Sequence, residues 1–284
     1  MKKLAIILTI SFFMSTAGFA VSVIATSGFN KAIHFGIVPA TADDGENAHH
    51  EFADTYSTIF VGATSAKVVI KQSNDNITRI DYINANKKGR LEAKIENEHL
   101  HIKEEFETRF VFFGNFNTAR SELTIQLPQK EYEIITLKLT SGSIAAESLE
   151  ISTFMLDIAL TSGNVNISGI TFDEYSVNTT SGSVKLDNAS GKGNVELTSG
   201  DVTVRYREWN DFLNVEVTSG TVNIELPQDS GIKVDSKVTS GGARYDLGGE
   251  SGRFTTVKGA SFGGENIQDV NIRVTSGSVK FYEK

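Results

Sequence analysis

The chain has 284 residues, no cysteine and a formal charge of −8. Without cysteine there are no disulfide staples and no lipid-modified cysteine near the N-terminus, so stability has to come from packing. An acidic surface repels phosphate backbones and anionic headgroups, which argues against nucleic acid as a partner.

The first segment separates by composition alone. Lys2 and Lys3 precede an uncharged run from Leu4 to Asn30 that is mostly apolar to about Ala25. A helix needs about 20 such residues to span a bilayer, so residues 1–28 are expected to form a membrane anchor. Ser15-Thr16-Ala17 and Gly18-Phe19-Ala20 also carry the small-x-small pattern of a cleavage site, which keeps a cleaved signal peptide and a secreted product as the alternative. Either way the two lysines stay inside and the bulk of the chain is extracytoplasmic. Residues 29–51, with Asp43, Asp44, Gly45 and the pair His49-His50, read as a tether.

Residues 52–118 alternate apolar and polar positions irregularly and read as strands that cap a more regular stack beginning at residue 119. Asn74-Asp75-Asn76 is a hairpin turn, and Thr64-Ser65-Ala66 carries a flank of Val61, Ala63, Val68 and Ile70. His99 and His101 bracket Leu100, so their rings would leave one strand face about 6–7 Å apart. That spacing suits a metal but lacks an evident third ligand, and a bland exposed strand face is preferred. Phe106, Phe110, Phe112, Phe113 and Phe116 gather around Gly114-Asn115. They read as a plug over the open end of a core, or as an interaction patch if the rings face solvent.

From residue 119 onward one tripeptide dominates. Thr-Ser-Gly starts at Thr140, Thr161, Thr180, Thr198, Thr218, Thr239 and Thr275. A nucleophile is needed once, so a series of seven points to architecture. One position before the Thr stand Leu139, Leu160, Thr179, Leu197, Val217, Val238 and Val274; two positions further back stand Leu137, Ile158, Val177, Val195, Val215, Ser236 and Ile272. Four positions after it come Ile144, Val165, Val184, Val202, Val222, Ala243 and Val279. Each tripeptide therefore joins two strands with one buried face. The step between the two inward sets is odd, so the chain must bend or bulge to restore the facing. Thr140, Ser141 and Gly142, with Gly163, Gly182, Gly200, Gly220, Gly241 and Gly277, are the expected corner residues, glycine supplying positive φ and the hydroxyls local backbone bonds.

A period of 18–21 residues predicts an all-β solenoid whose coils stack at the strand spacing of about 4.8 Å. Consecutive hairpins are the alternative, and inward pairs between motifs, Leu149 with Ile151 and Ile170 with Phe172, favour a further side to each coil. Val257-Lys258-Gly259 halves the long gap between the last two corners and reads as a degenerate coil.

Signs of catalysis are weak. Gly259-Ala260-Ser261-Phe262-Gly263 fits a nucleophile elbow, but that mechanism needs a strand–turn–helix and a later histidine, and the last histidine is His101. Five residues after each Thr stand Ala145, Asn166, Lys185, Thr203, Asn223, Arg244 and Lys280, a row without acids. No catalytic residue, cofactor site or enzyme activity is expected from these patterns.

The repeated Thr-Ser-Gly-x-[Val/Ile] after an inward strand, with the "LPQ" of Pro128 and Pro227 each leading to another corner, resembles a bacterial adhesin-type family of unknown function. Its members include LiaG-type membrane-anchored proteins of cell-envelope stress operons. The resemblance implies a β-solenoid, a non-enzymatic surface role in adhesion, scaffolding or envelope stress, and an envelope protein or polymer as partner. A polysaccharide-active β-helix enzyme is the competing class, and a pair of carboxylates within about 10 Å of each other in a groove would favour it.

Overall fold

The computed structural model describes residues 47–53, 55–85, 89–106, 120–147 and 149–284. The expected anchor, most of the tether and the loop carrying Phe110, Phe112, Phe113 and Phe116 lie outside these residues. Among the described residues every regular element is a strand. In chain order they are β1 (Ala48–Ala53), β2 (Thr58–Ala63), β3 (Lys67–Gln72), β4 (Ile77–Ile83), β5 (Gly89–Glu96), β6 (His99–Phe106) and β7 (Glu122–Leu127). After these come β8 (Glu131–Leu139), β9 (Ser143–Ala146), β10 (Ile151–Leu160), β11 (Asn164–Ile167), β12 (Ile170–Thr179), β13 (Ser183–Leu197) and β14 (Asp201–Tyr206). The series ends with β15 (Leu213–Leu226), β16 (Ser230–Leu247), β17 (Glu250–Phe254), β18 (Val257–Gly263) and β19 (Asn266–Glu283).

Strands that lead into a corner stack in parallel as one wall. Its order is β6, β2, β8, β10, β12, then the later half of β13 and the leading halves of β15, β19 and β16. Strands that leave a corner form the second wall: β7, β3, β9, β11, the leading half of β13, β14, and the trailing halves of β15, β19 and β16. The inward side chains of both walls make one core. Val165, Val184, Val202 and Val222 stand in direct register, each no more than 2% exposed. Burying one such side chain stabilises by about 1.5–3 kcal/mol, so identical apolar positions repeated along the stack select this register over a one-residue slip, which would turn every valine to water. Leu149, Ile151, Ile170 and Phe172 are buried too. The ladder breaks at Phe154, where β10 bends and leaves that ring 52% exposed. The residues between motifs thus supply the further side of each coil.

The corners work by two constraints at once. Gly142, Gly163, Gly182, Gly200 and Gly220 have φ between +105° and +114°, a region that side chains avoid. They also stack so closely that a Cβ on Gly182 would lie 2.2 Å from the Gly163 carbonyl oxygen. This closeness lets the amide of the residue after each glycine reach the carbonyl of the glycine one coil back, as in Ser183 N–H to Gly163 O at 2.9 Å and Thr221 N–H to Gly200 O at 2.9 Å. Gly277 departs from the expectation: it is not in the left-handed region, and close packing alone asks for glycine there, an added Cβ lying 2.6 Å from Gly220 O and 2.8 Å from Val217 Cγ1.

The order of coils in space is not their order in sequence. The coil of β2 and β3 sits directly beside that of β8 and β9, with Ala66 under Gly142, while β6 and β7 lie further out. At the other end β19 inserts between β15 and β16. In both places the strands with local antiparallel partners go to the outside, where an open edge needs covering: β5 on β6, β4 and β1 beyond β7, β17 and β18 on β16. The degenerate coil expected at Val257-Lys258-Gly259 is therefore an antiparallel cap, β18, and the irregular cap expected over 52–118 contains one regular coil. The expected tether is shortened at its end, because His49, His50 and Glu51 belong to β1, whose Ala48 and Phe52 pack against the core.

A polar face and a cleft on the first wall

The outward side chains of the first wall are brought into rows by the same register that builds the core. One row runs Asp157, Ser176, Asn194, Asn214, Asn271, Asp235, and the row beside it Ala159, Asn178, Glu196, Glu216, Arg273, Lys237. The rows are cross-linked by hydrogen bonds. Asn178 donates to Glu196 Oε2 at 3.1 Å, Asn194 donates to Glu196 Oε1 at 3.3 Å, and Asn214 donates to Asn194 Oδ1 at 2.8 Å. Burial pushes the Asp157 carboxyl above the ordinary carboxylate range against the pull of Lys138 and a hydrogen bond to Ser176.

Toward β16 this face becomes a cleft of about 520 Å³ lined by Asn214, Glu216, Asp235, Lys237, Asn271 and Arg273, with Thr256, Val257 and Lys258 as its far wall. Ser236 creates the wall. It is the polar member of an otherwise apolar inward row, and its hydroxyl donates to Thr255 O at 2.5 Å and accepts from Val257 N–H at 3.2 Å. The pairing of β16 with β18 slips at this point. Gly259, at φ +64°, then turns its N–H onto Asp235 Oδ1 at 2.6 Å. The Gly-x-Ser-x-Gly stretch thus lies on the antiparallel strand β18, where Gly259 makes a bulge beside the cleft and Ser261 pairs with Lys233.

The second wall carries a charge ladder seven residues after the corner Thr, two positions beyond the acid-free row of Ala145, Asn166 and Lys185. Arg205 reaches Asp187 at 2.8 Å and Glu225 at 2.9 Å, and Tyr282 donates to Glu225 at 3.3 Å. These two half-buried acids share one guanidinium, whose pKa they raise. In the cleft, Glu216 lies 3.3 Å from Arg273 while Asp235 takes the Gly259 amide. The two belong to strands separated by β19. In each case the carboxylates act as acceptors for fixed donors.

The rings of His99 and His101 are 6.2 Å apart, with Phe60 5.9 Å from His101. Among the described residues no group of three or more His, Cys, Asp or Glu is arranged to hold a metal ion. The corner hydroxyls stand as an outer ladder, with Ser141, Ser162, Ser181, Ser199 and Ser219 all exposed. The sequence signals that could have located the cleft were the lone Ser236 in the inward row and the paired Arg273 and Lys237 in the outward one. Their proximity depends on the exchanged order of β19 and β16.

No curated protein matches the chain. Solved structures that match include a "putative adhesin" from Bacteroides fragilis at 17% identity, covering 83% of this chain and 97% of that one with a TM-score of 0.46. Another is a "putative cell adhesion protein" from Clostridium sporogenes at 16% identity, covering 84% and 99% with a TM-score of 0.36. A third is a "putative lipid binding protein" from Parabacteroides distasonis at 13% identity, covering 84% and 97% with a TM-score of 0.37. The family model described as Toastrack DUF4097 matches residues 56–159 and again 150–281, and the chain belongs to that family.

Proposed function

We propose that this is a non-enzymatic extracytoplasmic surface protein, an adhesin, scaffold or envelope-stress accessory of the LiaG type, which binds an extended envelope polymer along the outer face of its first wall. Residues 1–28 would hold it to the membrane. The observation that carries the reading is the run Ser176, Asn194, Asn214, Asn271, which repeats small polar groups at strand spacing, with Asn214 hydrogen-bonded to Asn194 and Asn194 to Glu196. Such a track offers donors and acceptors at regular intervals to a partner that is itself periodic, and its hydrogen-bonded side chains lose little further freedom on binding.

Full-length protein in detergent should co-sediment with envelope fragments from cells that express it. Replacing Asn178, Asn194 and Asn214 together by alanine should release it, while replacing Thr203 and Asn223 on the opposite wall should not. Equal retention of both variants would defeat the assignment of the face, and shortening of an envelope polysaccharide by the purified protein would replace binding with catalysis.

A further inference from the structure

We infer that the cleft between β15, β19, β16 and β18 is a subsite for a hydroxyl-rich polymer unit bearing a single negative charge, either a sugar acid or a polyol phosphate. This rests on the polymer-binding reading above and adds the chemistry of the unit. The cleft, about 520 Å³, is within the usual size range of small-ligand sites, and its lining combines polar and charged side chains with the apolar surface of Val257 and Ile272.

Its cations are concentrated in one concave place, whereas the other opposed pair of cations on β16 and β19, Arg244 and Lys280, lies outside the cleft lining. Arg273 and Lys237 face each other directly in register, and Lys258 reaches in from the far wall. Like charges opposed in a sheet destabilise it, and here they do so in a protein of net charge −8. Glu216 answers only Arg273, and Asp235 is turned to the Gly259 amide. Lys237 and Lys258 form no ion pair among the described residues. A bound anion at this point would offset the repulsion, and a guanidinium suits carboxylate and phosphate oxygens alike. Asn214 and Asn271, each with a donor and an acceptor, lie in the adjoining row and are suited to hydroxyls. That row continues out of the cleft through Asn194, so a unit seated there would be one link of a chain lying on the track.

The test measures binding of the full-length protein to four soluble polymers: polygalacturonate, a glycerol-phosphate polymer, neutral dextran and polyglutamate. Polygalacturonate or the glycerol-phosphate polymer should bind, and the one that does identifies the anion. Arg273→Gln and Lys237→Gln should each weaken that binding about tenfold or more, with unfolding midpoints not lowered, because both side chains project into solvent and each change relieves the repulsion between them. Lys258→Glu supplies an independent reversal on the opposite wall. Binding undiminished in all three variants would overturn the cleft while leaving the polymer-binding face standing. Equal binding of dextran would overturn the anion requirement, and equal binding of polyglutamate the hydroxyl requirement. No binding of any polymer by the unmodified protein would overturn both this subsite and the reading on which it rests.

Discussion

Glu104 accepts the backbone N–H of Thr64 at 2.7 Å through one carboxylate oxygen, which also takes the N–H of Ser65 at 3.1 Å. One coil further along, the same two amides are satisfied by backbone: Thr140 N–H by Ala63 O and Ser141 N–H by Thr64 O. A side chain thus does at the first corner what a preceding coil does elsewhere. The residue is 1% exposed although its position, opposite Ala63, is apolar in other coils. Glu104→Ala should cost about 1–3 kcal/mol by orphaning both amides, and Glu104→Gln, which keeps an acceptor, should cost less. Urea unfolding of the two variants gives the comparison, and equal losses would show that the carboxylate is not a cap.

Gly182→Ala should destabilise by about 3 kcal/mol or more. It combines a φ of +110° with a Cβ position 2.2 Å from a backbone oxygen that neighbouring coils hold in place. Ser181→Ala, one residue earlier and exposed, should change stability by less than about 0.5 kcal/mol. Thermal unfolding of the pair separates a requirement for backbone shape from one for the hydroxyl.

Tyr175 and Tyr206 share a buried hydrogen bond between their hydroxyls at 2.7 Å, and burial raises both phenol pKa values. Removing one hydroxyl strands the other, so Tyr206→Phe should cost about 1–3 kcal/mol while the double Phe variant comes back close to wild type. A double-mutant cycle with no coupling would mean that each hydroxyl is satisfied independently.

Asp157 predicts a pH dependence. Its folded pKa lies above the ordinary value because burial disfavours the charged form, so folding favours the protonated acid. The resulting stability is present in full below the unfolded pKa of about 3.9 and is lost as pH rises through the folded pKa. Asp157→Asn should therefore unfold at higher denaturant than wild type at pH 7, with the gap closing as pH falls through the folded pKa and gone below the unfolded value of about 3.9. An Asn variant less stable at pH 7 would show that attraction to Lys138 outweighs the desolvation.

What was legible in the sequence was whatever repeats within one coil. Leu160 before a corner and Val165 after it report alternation and burial by themselves, and Thr161-Ser162-Gly163 between them reports the bend. These are local steric and solvation preferences, written in a few consecutive residues and restated coil after coil, so strand, corner and inward face could be read without coordinates. Which coil lies beside which is different in kind. Every corner presents the same backbone groups to its neighbour, so the pattern around Gly220 accepts Gly277 or Gly241 equally well. That choice was made by the ends of the molecule, where β17 and β18 cover one edge of β16 and leave the other for β19. Only this tertiary exchange sets Arg273 between Glu216 and Lys237, and Ser236 against the wall of a cleft. The polar face was thus implicit in the repeat, but the cleft on it arose from long-range edge covering, to which local periodicity is blind.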